Sequence, residues 1–171
     1  MAPEEKSEIV KVLEDSRKVF NDAASGLTES QAAASPAAGR WSVLQCIEHV
    51  TTVEARFLGF LERAGRLDSP LIDPNKEAAL MTRVTDRTTR AEAPEPVRPT
   101  GRFASLAEAV EGFNAARART VSFAAERAAD LHTLACQHPR FCDLSGREMC
   151  VIIAGHARRH AEQIREIRVA M

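Results

Sequence analysis

Apolar residues recur at helical spacing, three or four positions apart, along most of this 171-residue chain. Four long segments carry the pattern, and three of them begin with a serine that is followed three residues later by glutamine or glutamate. This capping-box pattern satisfies the free N–H groups of a first helical turn. Four helices are therefore predicted, at residues 4–24, 42–64, 105–126 and 145–167.

The connections between these helices differ in length. The first connection, at residues 27–40, has room for a short helical turn. The second is a long crossover at residues 65–104, with a short helix predicted at 75–85 and a proline-rich run at 93–101, and it could lie over one end of the helices as a lid. No segment shows the alternation of a half-buried β-strand over several residues. The expected fold is all-α, a four-helix bundle that occupies residues 1–171 as one domain.

Composition narrows the range of partners. The formal net charge is −1 and the pI is near 6.5, so we expect no strong attraction to nucleic acid or to an anionic membrane. The longest apolar runs are too short to span a bilayer, and the N-terminus is polar, unlike a secretory signal. The cysteines lack C-x-x-C spacing and are predicted to be free thiols in the cytoplasm.

Two histidines stand out in the last predicted helix. His156 and His160 are four residues apart, so both lie on one face of the helix, within the apolar stripe that includes Met149, Ile153 and Ile167. Each imidazole carries a donor and an acceptor that need partners in a core. The pair is therefore either two core histidines that hydrogen-bond to neighbours or two ligands of one metal ion.

His49, in the second helix, is the candidate for a third ligand. Its helical position is at the rim of the apolar stripe, beside Val53 and Phe60, where a bound metal would stay reachable. On its own it is typical of a partly exposed surface histidine, and the sequence leaves open whether it meets the other two. The H-E-x-x-H and Glu-x-x-His patterns are absent, which argues against a zinc protease and a di-iron carboxylate centre.

Two charged residues interrupt the apolar stripes of the middle helices. Glu54 and Arg117 are predicted to pair across the bundle, because either charge buried alone would be strongly unfavourable. The alternatives make them supporting residues of a catalytic site: Arg117 would anchor an anionic substrate, or Glu54 would orient a ligand histidine. Cys46 is interpreted as a small core residue, with a fourth metal ligand or a reactive thiol as the alternative.

Two separated runs resemble the signatures of a known family. WSVLQCIEHV, at residues 41–50, resembles the helix-two signature of the DinB/YfiT-like superfamily, and residues 138–164 resemble its helix-four signature. The resemblance implies a commonly dimeric four-helix bundle whose three histidines hold a divalent metal with open positions. On this sequence the implied ligands are His49, His156 and His160. His138 is implied to shape the loop before the last helix.

The function expected from this resemblance is that of a metal-dependent enzyme acting on a small molecule. Zinc or nickel suits three imidazoles, and water or a low-molecular-weight thiol would take the open position, for hydrolase or thiol S-transferase chemistry. A homodimer is also expected. The alternative is a non-catalytic helical bundle that responds to stress or binds a partner, with a structural or incidental metal. Cys142 and Met149 depart from the glycine and tryptophan common in the family and leave the subfamily open.

Overall fold

The computed structural model describes residues 3–88 and 92–171. Within these residues, six α-helices and three short strands follow one another, with a 3₁₀ turn at Glu95–Val97. The helices are α1 (Pro3–Ala24), α2 (Glu29–Ala33), α3 (Val43–Glu62), α4 (Pro74–Thr85), α5 (Leu106–Glu126) and α6 (Gly146–Val169). The strands are β1 (Gly65–Arg66), β2 (Leu134–His138) and β3 (Cys142–Ser145). The all-α bundle is confirmed, the short helix predicted in the second connection is present as α4, and the first connection, which has room for a helical turn, contains α2.

Helices α1, α3, α5 and α6 form the bundle, and two buried apolar clusters show their directions. One cluster holds the first half of α1 and α6 together with the second half of α3 and α5. The other cluster holds the second half of α1 and α6 with the first half of α3 and α5. Therefore α1 and α6 run one way, and α3 and α5 run the other way. Because α3 and α5 are parallel, the chain has to return along the length of the bundle between them, which explains the long crossover.

Capping boxes were predicted at three helix starts, and two of them are complete. Ser42 and Ser145 each form a complete capping box. At α5 the box is only half formed: Ser105 Oγ accepts from the Glu108 N–H at 3.1 Å, whereas the Glu108 carboxylate accepts from the Ala104 N–H at 2.8 Å. The side chain still satisfies a backbone donor at the start of α5, so the predicted boundary is correct although the partner differs.

A three-stranded antiparallel sheet, in the order β1-β2-β3, contradicts the expectation that the chain has no strands. Period-two alternation was too short to detect, because β2 places only Leu134 and Cys136 inward and β1 has two residues. The sheet leads directly into α6. Gly146 begins that helix, and a Cβ there would lie 2.9 Å from Leu134 Cδ1 and 3.0 Å from the Leu131 carbonyl oxygen. Only glycine therefore lets the helix start this close to the sheet.

The structure also shows the state of the cysteines and the apolar character of the helices. All four cysteines are free, as expected. Within the described part of the chain, no helix combines the length and the apolar character that a membrane crossing needs.

Glu54 and Arg117 form the predicted ion pair in the interior of the bundle. Arg117 Nε and Nη2 donate to the two Glu54 carboxylate oxygens at 2.6 and 2.9 Å. Arg117 Nη1 donates to the Leu13 carbonyl oxygen at 2.6 Å and to Ser16 Oγ at 2.5 Å. Arg117 is 0% exposed and Glu54 is 2% exposed, so water contributes nothing to their solvation. The pair links α3, α5 and α1, and its geometry is that of a structural ion pair.

Arg117→Met should therefore lower the free energy of unfolding by about 3–5 kcal/mol, because it leaves the Glu54 carboxylate buried and unpaired. Replacing both residues together, as Arg117→Met with Glu54→Leu, should recover most of the loss. Urea denaturation measures both variants. Lys18→Met, which removes an exposed ion pair with Asp22, serves as the control and should change stability little. Equal stability of wild type and Arg117→Met would contradict a structural pair.

Candidate metal centre

Helices α3 and α6 bring the three predicted histidines together. One ring nitrogen from each of His49, His156 and His160 lies within 4.8 Å of the other two. The ring centroids are 5.1 Å apart for His49 and His156, 4.8 Å for His49 and His160, and 4.5 Å for His156 and His160. Two of the rings are neighbours because they are one turn apart on α6. The third reaches them because α3 packs against α6.

His49 is more buried than its helical position predicted. The sequence placed it at the rim of the site, whereas it is 5% exposed and His156 is the partly exposed member of the three. The reason is the crossover, whose 3₁₀ turn covers His49: the Val97 carbonyl oxygen is 2.7 Å from His49 Nδ1. A carbonyl only accepts, so Nδ1 carries the proton and Nε2 keeps its lone pair. This bond orients the ring in the way that a metal-ligating histidine requires.

The three imidazoles are held in the neutral form. Burial lowers the pKa of His49, although its bond to the Val97 carbonyl opposes the shift. The pKa of His156 is lowered well below its usual value by burial and then by the nearby His160 and His49. Burial and the nearby His49 and Arg159 also lower the pKa of His160. A neutral imidazole offers the lone pair that a metal ion needs.

The donor set fits a divalent transition-metal ion. Imidazole nitrogens suit zinc, nickel, copper and iron, and two nitrogens bound at about 2.1 Å to one tetrahedral ion are about 3.4 Å apart. Small side-chain rotations would bring the present nitrogens to that spacing. His160 Nδ1 is also buried without a hydrogen bond of normal geometry. The Gln163 side chain raises the pKa of His160, but burial lowers it by more. Such a polar atom is unfavourable in a purely structural core.

The crossover is attached to α3 next to His49. The Glu48 carboxylate accepts from the Thr100 N–H and Oγ1, at 2.7 and 3.0 Å, and from the N–H groups of Gly101 and Arg102, at 2.9 and 3.2 Å. Burial alone would raise the pKa of Glu48, but these hydrogen bonds lower it overall. Glu48 was not among the site residues predicted from the sequence. Its only signal was a charged side chain beside a candidate ligand.

Helix α4 closes over α6 beside the histidines. A Cβ on Gly155 would lie 3.1 Å from Val84 Cγ1 and 3.2 Å from Met81 Sδ, so the two helices touch at the residue before His156. The crossover therefore lies along α6 and over His49, which is a larger contact than the end cap that the sequence suggested. Trp41 adds an aromatic wall that the sequence analysis also missed: its ring centroid is 4.9 Å from that of His49.

Cys46 and the Glu54–Arg117 ion pair, the other predicted candidates, are not part of the histidine group. Cys46 is fully buried in an apolar cluster, and burial raises its pKa to about 12, so it is a protonated thiol and not a ready ligand or nucleophile. Within the described residues, the only group arranged for a metal contains the three histidines. Glu54 bonds to Arg117, and the hydrogen-bond partner of His49 is Val97. Neither charge of the ion pair contacts a histidine through a hydrogen bond.

The sequence pattern of the DinB superfamily matches residues 13–164. The chain belongs to the DinB superfamily. The match includes all three histidines, the whole of α3 and most of α6.

Two proteins of Bacillus subtilis are similar to this chain. The uncharacterized protein YuaE, from strain 168, is 23% identical over 144 residues, which cover 84% of this chain and 86% of YuaE. The solved structure of YfiT, described as a probable metal-dependent hydrolase with an unusual four-helix bundle topology, has a TM-score of 0.57 and 18% identity. The superposition covers 99% of this chain and 89% of YfiT. At that identity the likeness establishes the shared fold.

The histidine cluster should make the metal-free protein lose stability in mild acid. An unfolded histidine takes up a proton near its ordinary pKa of 6.5, whereas these rings stay neutral in the folded state until a lower pH. Stability should therefore fall as the pH drops below 6.5. The double variant His156→Ala with His160→Ala should lose less stability over the same pH range, because it lacks two of the buried neutral rings. Urea denaturation in chelator, at several pH values, compares the two proteins. Parallel curves would contradict neutral burial of the two rings.

Removal of the Glu48 carboxylate should release the crossover. In Glu48→Ala the N–H groups of residues 100–102 lose their acceptor, and their hydrogen exchange should accelerate several-fold or more. Mass spectrometry of exchanged peptides measures the rates. Glu111→Ala, on an exposed position of α5, is the matched control and should leave exchange in this segment unchanged. Equal protection in wild type and Glu48→Ala would show that other contacts hold the segment.

Proposed function

We propose that this protein is a divalent-metal-dependent enzyme that acts on a small molecule, with His49, His156 and His160 as the metal ligands. The observation that carries the proposal is the convergence of three neutral imidazoles, with nitrogens within 4.8 Å of one another, in a largely buried site. Zinc and nickel are the ions that this donor set favours.

The arrangement supports a catalytic site more than a structural one. Structural zinc sites are closed by four protein ligands, whereas catalytic sites keep a position open. Among the described residues three side chains converge, and Cys46, the fourth ligand considered from the sequence, is not part of the group. His156 is partly exposed, so a ligand has a route to the cluster from that side. This argues against the non-catalytic alternative with a structural metal.

The residues around the cluster have separable tasks. The Val97 carbonyl keeps His49 in one tautomer, so its Nε2 lone pair stays available. The Trp41 ring packs against His49, and the Glu48 hydrogen bonds hold the crossover that supplies the carbonyl. When bound, a divalent ion would polarise substrate oxygens and lower the pKa of a water or thiol in its open position.

Two reaction classes follow from this chemistry. Hydrolysis uses water as the nucleophile, and S-transfer uses a low-molecular-weight thiol. The description of YfiT as a probable metal-dependent hydrolase supports hydrolysis, while the positive charge of Arg159 near the cluster also suits a bound thiolate. Glu54 and Arg117 are not needed as supporting catalytic residues, because they bond to each other. A homodimer is a further prediction, to be measured by light scattering.

Purified, untagged protein should bind about one equivalent of zinc or nickel after supplementation, as measured by mass spectrometry of metal content. His49→Ala, His156→Ala and His160→Ala should each lose metal, because two imidazoles hold an ion far less tightly than three. His132→Ala is the matched control: His132 bonds to the Leu71 carbonyl, outside the cluster, and its variant should keep metal.

Failure of the wild type to take up zinc, nickel, manganese or iron would refute the metal centre. If metal binds, the loaded protein is assayed on ester and amide probes and on electrophiles, each with and without an added thiol. Product formation that needs only water assigns a hydrolase, and product formation that needs the thiol assigns an S-transferase. Metal binding without turnover of any probe would favour the non-catalytic alternative.

A further inference from the structure

Arginine side chains border the partly exposed side of the histidine cluster. His156 and His160 share one face of α6, and His156 is the partly exposed member of the cluster. Arg159 is also partly exposed, and it lies three residues after His156 and directly before His160. At about 100° per residue, it is about 60° around the helix from His156. The side chain of Arg159 therefore starts at the edge of the cluster, next to its exposed ring.

The segment after α4 adds a second guanidinium to this edge. The Asp86 carbonyl oxygen accepts a hydrogen bond from Arg159 Nη1. The next residue, Arg87, donates from Nε and Nη2 to the two Glu166 carboxylate oxygens, at 3.0 and 2.5 Å. Glu166 is seven residues after Arg159, which is about two turns, so both lie on one strip of α6. Residues 86–87 therefore hold Arg87 against the strip that carries Arg159.

A third arginine comes from the chain just before α3. The Trp41 ring is stacked toward His160, with ring centroids 6.4 Å apart and planes 21° apart. Arg40 precedes Trp41 and is exposed. Its charge reaches α6: the pKa of Glu166 is lowered first by its hydrogen bond to Arg87, against the effect of burial, and further by the charges of the arginines around it, including Arg40. The tryptophan thus brings Arg40 to the same opening.

Positive charge exceeds negative charge among the described residues at this opening. Two carboxylates, those of Asp86 and Glu166, lie within electrostatic range of Arg159. Three other guanidiniums lie in the same neighbourhood, those of Arg40, Arg87 and Arg140. A surplus of guanidinium groups at a partly exposed opening favours an anionic ligand.

We propose that Arg159, flanked by Arg87 and Arg40, is a substrate-binding residue that takes the carboxylate of a small anionic substrate beside the histidine cluster. The role as a substrate site rests on the proposed function, whereas the binding of a carboxylate does not need the metal. The Arg87–Glu166 pair shows that a carboxylate fits among these side chains, with both oxygens on one planar guanidinium. Arg117, the anchor for an anionic substrate considered from the sequence, is instead bonded to Glu54.

The competing explanation is that these arginines only fasten the segment after α4 to α6. Arg159→Gln separates the two roles, because glutamine keeps an N–H donor for the Asp86 carbonyl but removes the charge. Glu166→Gln changes the charge in the opposite direction by removing the carboxylate that competes for the arginines. Arg165→Gln is the matched control: it makes the same charge change on α6, at a residue paired with Glu162.

The first measurement uses Trp41, the single tryptophan of the chain, as a reporter of local charge. Its fluorescence is quenched by iodide, an anion, and by acrylamide, a neutral molecule, at constant ionic strength in protein stripped of metal and freed of chelator. The ratio of the iodide to the acrylamide quenching constant should fall about twofold in Arg159→Gln and rise in Glu166→Gln, because one unit of nearby charge changes the local iodide concentration by roughly that factor. The ratio in Arg165→Gln should equal that of wild type.

The second measurement tests binding of a carboxylate next to the metal. Calorimetry on the zinc-loaded protein compares the monohydroxamates of succinic and glutaric acid with their methyl esters, which have the same metal-binding group and no charge. Wild type and Arg165→Gln should bind the better acid at least about tenfold more tightly than Arg159→Gln does, as expected for hydrogen bonds between charged groups. The methyl esters should bind all three proteins equally.

Each outcome decides a separate claim. Equal affinity of wild type and Arg159→Gln for both acids, with normal zinc content, would overturn the role of Arg159 and leave the metal centre standing. The same loss for the acids and their esters would also overturn it, because it would indicate a general change in the site. Absence of zinc from the wild type would overturn the proposed function, and the iodide measurement would then decide the carboxylate site by itself: an unchanged ratio in Arg159→Gln would overturn that site too.

Discussion

The parallel direction of α3 and α5 is the constraint on which the rest of this structure depends. Two consecutive bundle helices that point the same way need a connection that returns along the bundle, and here that connection is residues 63–105. The returning chain adds α4, which packs on α6, and a 3₁₀ turn, which covers His49. A short hairpin between antiparallel helices would leave the histidines without this cover and without the Val97 carbonyl.

Polar groups inside the bundle show two different outcomes of burial. Glu54 and Arg117 satisfy each other and bond to α1, so their charges serve the fold. The three histidines instead bring one ring nitrogen each to within 4.8 Å of one another, and His160 Nδ1 is buried without a hydrogen bond of normal geometry. A protein interior rarely keeps such a group for stability alone. This contrast is why we propose the histidine cluster, and not the ion pair, as the functional part of the interior.

Some of this organisation could be predicted because its causes are local. The long helices start and end within two residues of the predicted bounds, since serine caps and apolar spacing act within a turn or two. The strands were missed because two inward residues cannot establish a period. The burial of His49 was missed because helical spacing describes the face of one helix, whereas the Val97 turn that covers His49 comes from 48 positions further along the chain.

The sequence alone therefore determined the helices, the inward direction of His156 and His160, and, through resemblance, the identity of the third histidine. Only the tertiary structure decided that His49 meets them and that the Val97 carbonyl orients it. The physical reason is the range of each interaction. Spacing along a helix is set by bonds between near neighbours, whereas the meeting of residues 49, 97, 156 and 160 depends on where the whole chain turns back.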